Sequence, residues 1–124
     1  MNISKKLLLF TGLFFSFPLH AEGLPGNHSL KQNSSGNHYV VNKENITMIE
    51  PAIIQLGFSG KWILACIKNQ SIDSDLIRWV FVDVRNGGTF DSLHAENWKY
   101  FSNEAYPELK DIKLVRYRDE DCPE

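Results

Sequence analysis

From Tyr39 onward the chain alternates short apolar clusters with turn residues, a pattern that predicts strands more than helices. Tyr39, Val40 and Val41 open a β pattern and Ile46 to Ile49 continues it. Pro51 then interrupts, as it would at an edge or bend, because proline has no N–H to give a ladder. Ala52 to Phe58 and Lys61 to Lys68 are two apolar runs separated by Ser59 and Gly60, the signature of a hairpin. A polar loop holding Asp73 and Asp75 leads to Leu76–Val84, the most pronounced strand. There Ile77, Trp79, Phe81 and Asp83 alternate with Arg78, Val80, Val82 and Val84, and aromatic and β-branched side chains suit a pleated surface. Arg85, Asn86, Gly87 and Gly88 turn the chain.

The period then changes. His94, Trp98, Phe101 and Ala105 recur at helical spacing, so they share one face of a predicted helix. Asp91 or Ser92 can cap it, since a short side-chain oxygen accepts a bond from the free amides of the first turn. Pro107 marks its end. Ile112, Leu114 and Tyr117 belong to a final strand, and Arg116 to Glu124 form a charged tail. The expected fold is α+β: an antiparallel β-meander of about five strands with one amphipathic helix packed on one face before the last strand joins. Ile53, Ile63, Trp79, Phe81, Trp98 and Phe101 are expected to share its core.

The amino terminus follows other rules. Lys5 and Lys6 precede an apolar run from Leu7 to Phe17, and Pro18, Leu19, His20 and Ala21 follow. That order predicts a secretory signal peptide over residues 1–21, cleaved after Ala21, because the run is shorter than the ~20 residues a membrane-crossing helix needs. No Cys follows the cleavage site to carry a lipid, so no membrane anchor is expected. Residues 22–37, rich in Gly, Pro, Asn, Ser and His, read as a flexible leader with one short strand near Ser29 to Gln32, and residues 38–124 as a single globular domain.

Composition narrows the partner. Cleavage removes two of the 13 basic residues and none of the 15 acidic ones, so 11 remain against 15 and the net charge is −4. A mildly acidic domain without a Lys/Arg stripe is a poor match for nucleic acid, and suits a partner with a basic cleft. The two cysteines, Cys66 and Cys122, form an even set in a compartment that permits oxidation, and a disulfide between them is expected. The competing reading keeps Cys66 as a small buried residue.

Residue types that could serve nucleophilic catalysis are present, but the local contexts it needs are missing. No G-x-S-x-G elbow or phosphate-binding glycine loop occurs, and Cys66 lies in an apolar run that disfavours a thiolate. Asp91, His94 and Glu96 have a suggestive order, but helical spacing puts Glu96 on a different side from the other two. His28 and His38 read as exposed loop residues. No enzyme activity, metal or cofactor is expected.

Leu24-Pro25-Gly26, Ile49-Glu50-Pro51 with Ile53 and Ile54, Gly57, Trp62-Ile63, Trp79-Val80-Phe81-Val82-Asp83 and a helix after a Gly turn resemble small exported bacterial proteins, among them periplasmic immunity proteins against type VI secretion toxins. The likeness covers roughly Leu24 to Leu114. It implies a periplasmic inhibitor that binds one cognate toxin enzyme and occludes its active site. The alternatives are a small envelope hydrolase and an accessory subunit of an envelope assembly. For a partner surface, carboxylates steer and aromatic residues anchor. Asp73 and Asp75 between two strong strands, Phe58 and Lys61 at the hairpin, and Tyr100 and Glu104 on the helix are the candidates.

Overall fold

The structure is a computed structural model that describes residues 23–70, 75–92 and 95–124. The signal peptide predicted over residues 1–21 lies outside the described residues. Among the described residues eight strands occupy Ser29–Gln32 (β1), His38–Val41 (β2), Thr47–Ile49 (β3), Ile53–Phe58 (β4), Trp62–Gln70 (β5), Asp75–Asp83 (β6), Thr89–Ser92 (β7) and Leu114–Arg116 (β8). Helix α1 spans Ala95–Tyr100, continues as a π-helical turn over Phe101–Ala105, and is followed by a 3-10 turn over Pro107–Asp111.

Strands β1, β2 and β3 make a small antiparallel sheet, and the larger sheet has the order β7-β6-β5-β4-β8. The fold is therefore α+β, with a meander from β4 to β7 and β8 joining at the β4 edge after the helical segment. The meander follows from the hairpin chemistry. Ser59 accepts bonds from the amides of Lys61 (3.3 Å) and Trp62 (3.2 Å) and so closes the β4–β5 turn. Asp83 likewise accepts from the Arg85 amide (2.9 Å), and Gly87 takes the positive φ of 76° that the β6–β7 turn requires.

Both faces of the large sheet are covered, which accounts for the unbroken apolar run Trp62 to Ile67. On one face Ile63, Ala65, Ile67, Val80 and Val82 pack with Ile53, Leu56 and, from the small sheet, Val40 and Ile49. On the other, Trp62, Leu64, Cys66, Trp79 and Phe81 pack with Ile54, Trp98 and Leu109 of the helical layer. The single core expected from the sequence is thus two cores. Ile63 pairs with Val82 and Leu64 with Phe81, so the period of two sends Ile53 and Ile63 to one side and Trp79, Phe81, Trp98 and Phe101 to the other. An irregularity between Ile53 and Gln55 lets Ile53 and Leu56, three apart, share a face.

Two further expectations are corrected. Asp91 and Ser92 do not cap the helix; they end β7, where Phe90 stacks on Phe81 at 4.8 Å and Asp91 accepts a 2.6 Å bond from Arg78 Nε. The described helix, Ala95–Tyr100 and the turn after it, turns Trp98 and Phe101 of its predicted apolar face inward, with Trp98 stacked 4.9 Å from Trp79 and Phe101 edge-on to Phe81. His28 is not an exposed loop residue: it is buried, its Nδ1 3.0 Å from the Pro25 carbonyl. His38 is half-buried against Tyr117 at 4.6 Å, and that burial lowers its pKa. The short strand near Ser29 is β1, paired along all four residues with β2.

Cys66 and Cys122 are bridged. The bridge ties the tail beneath the helical face, where Trp79 Nε1 donates to the Pro123 carbonyl at 2.7 Å.

Candidate partner-binding surfaces

Strand β8 docks on β4 through Gly57, which pairs with Leu114. Glycine is required there because a Cβ would overlap the Lys113 carbonyl oxygen and lie 2.7 Å from Ile112 Cγ2. A groove of about 240 Å³ lies beside β8. Leu24, Leu30, Leu56, Phe58, Val115 and Tyr117 line it, with Lys113 at its rim. Phe58 is 46% exposed and Val115 51%, so two large apolar side chains meet solvent on either side of an apolar cleft.

Lys61, by contrast, is committed to the fold. Its ammonium lies 5.0 Å over the Trp62 ring and 3.5 Å from Glu108, which also accepts a 3.0 Å bond from Trp62 Nε1. Its own backbone amide, the indole N–H and Lys61 hold the Glu108 carboxyl below the usual range. Tyr100 is 58% exposed and Glu104 is exposed, both on the helical layer. Asp75 pairs with Gln70 at the far end of β5 from Trp62, roughly 27 Å away at ~3.4 Å per residue. Asp73 lies outside the described residues. Of the six candidates, the structure brings Phe58 and Lys61 together at the hairpin, Tyr100 and Glu104 on the helical layer, and Asp75 at the opposite end of the sheet.

A second, polar cleft of about 300 Å³ lies against the tail, lined by Asn33, Asn37, Glu50, Lys68 and Arg118 among others. Its two cations are both engaged by Glu120. Arg118 grips Glu120 with two bonds of 3.0 and 2.6 Å and donates a third, 2.7 Å, to Asn37, while Lys68 reaches Glu120 at 3.3 Å. Arg118 first, then Glu120's own amide and Lys68, depress the Glu120 carboxyl to about 2. This cluster fastens the tail to β5 and to the β1–β2 turn.

Among the described residues no three His, Cys, Asp or Glu side chains gather as a metal would need, and His94 lies outside them. No helix among them is long and apolar enough to cross a membrane. The sequence reading missed Val115, Lys113 and Leu30. Val115 lies between partly buried Leu114 and Tyr117, and no local pattern in the sequence marks it as exposed. No protein-family model, curated protein or solved structure matches the chain.

Proposed function

We propose that the protein is an exported binding protein of the bacterial periplasm, an immunity protein that neutralises a cognate secreted toxin enzyme by covering its active site. The observation that carries this reading is the apolar groove flanked by half-exposed Phe58 and Val115. Single exposed apolar residues are ordinary, but two beside one apolar cleft offer a surface for a partner to cover. The disulfide supports it, being compatible with an oxidising compartment and holding the sheet beneath the groove in one geometry. A surface already in its bound shape loses little entropy on association.

The test is co-expression in the periplasm with the product of an adjacent gene encoding a secreted toxin. Protection of the cells and co-purification of the pair are the expected results. Unrelieved toxicity with both proteins folded and present would remove the reading.

A further inference from the structure

The groove runs beside a sheet edge with no further strand among the described residues, and the register of β8 shows which main-chain groups that edge offers. Tyr117 N donates to Ile54 O at 2.7 Å, which makes Gln55 and Arg116 a non-bonded pair. Bonded and non-bonded pairs alternate in an antiparallel ladder, so Val115 exchanges its bonds with Leu56. The N–H and C=O groups of Leu114 and Arg116 therefore point outward, and β8 is the last strand of its sheet.

That edge is cationic, although the chain is acidic overall. Lys113 is exposed at the groove's rim, and no described carboxylate pairs with it. Arg116 donates to the carbonyls of Arg118 (2.8 Å) and Glu120 (2.7 Å) and makes no ion pair with a carboxylate among the described residues. Edge lysines commonly block unwanted pairing. Here they also select: a second copy of β8 laid against this edge would bring a second Lys113 and Arg116 up to the first pair, and like charges disfavour that approach.

We propose that β8 receives an acidic, extended segment of the partner protein, which adds as a sixth strand along Leu114–Arg116 and seats one apolar side chain in the groove between Phe58 and Val115. Main-chain bonds hold such a segment, the groove reads its alternate side chains, and Lys113 and Arg116 favour its carboxylates. This rests on the binding function proposed above and specifies its mode.

The experiment is selection of a random displayed peptide library on the oxidised protein, followed by affinity measurement with the best synthetic peptide. Acidic peptides with alternating apolar residues should be enriched. Methylating the peptide's alternate amides should abolish binding, and Lys113→Glu or Val115→Asp should weaken it by about tenfold or more. Amide exchange at Leu114 and Arg116, read on the unaltered protein, should slow in the complex. Enrichment of non-acidic peptides only, binding indifferent to both substitutions, or unchanged exchange at those amides would overturn the proposal. A toxin neutralised equally well by the unaltered protein and by Lys113→Glu would overturn the edge-pairing mode and leave the binding function standing.

Discussion

Breaking the Cys66–Cys122 bridge is expected to cost about 4 kcal/mol. The bridge spans a sequence separation of 56 residues. Closing a loop of that size removes roughly 14 cal/mol/K of unfolded-chain entropy, or about 4 kcal/mol at 25 °C. Small domains are stable by only ~5–15 kcal/mol, so this is a large share of the total. The corresponding fall in Tm is ~15–30 °C. Comparing oxidised with reduced protein isolates this effect, because reduction leaves both sulfur atoms in place, whereas Cys66→Ala would also open space at a fully buried position. Urea unfolding followed by tryptophan fluorescence is the assay, since Trp62, Trp79 and Trp98 are all buried in the core beneath the helical layer. The reduced protein should unfold at lower urea with a steeper m-value, its unfolded chain being less constrained. A reduced protein within ~1 kcal/mol of the oxidised one would refute the reasoning.

Acid should unfold the protein in a defined window. Arg85 beside Asp83 and Arg118 beside Glu120 hold both carboxyls at about 2, against ~4 in an unfolded chain. Their contribution is full above pH ~4 and is lost as pH falls from there towards 2; His38, its pKa lowered by burial, starts a smaller loss below ~6.5. Glu120→Gln should flatten the acid limb of a stability-against-pH curve, and an unchanged slope would contradict the assignment. Gly57→Ala should detach β8 and destabilise by ~2 kcal/mol or more, because the added methyl meets main-chain atoms that cannot swing aside; an unaltered urea midpoint would show that β8 is not packed this way. Lys61→Ala should cost under ~1 kcal/mol, as exposed ion pairs do, and leave partner affinity unchanged, since Lys61 serves Glu108 and Trp62.

The strands were legible because each apolar run carries its own period. Trp79 and Phe81 alternate with Val80 and Val82, and that alternation survives intact in β6. What alternation cannot reveal is which layer covers each face, so residues from opposite sides of the sheet were assigned to one core. Asp91 and Ser92 show the limit of local chemistry: they suit a helix cap and a strand end equally, and the stacking of Phe90 on Phe81 decides between them. His28 sits in a stretch of turn residues, and its burial depends on the fold of that turn, where its Nδ1 lies 3.0 Å from the Pro25 carbonyl. The hairpin supplied Phe58 to the candidate site, whereas Lys113 and Val115 join it only because Gly57 lets β8 approach. Contacts across more than fifty residues of chain leave no local mark.

The most direct test measures how tightly the secreted toxin proposed as partner is held by the protein and by its Phe58→Ala, Val115→Ala double variant. Both side chains are about half exposed in the free protein, so the variant should remain folded, within ~1 kcal/mol of the parent in urea. If the groove is the contact surface, burial of these anchors carries the affinity, and the double variant should lose ~2 kcal/mol or more, a factor of about 30, together with its power to inhibit. A folded double variant that binds and inhibits as well as the parent would contradict the account.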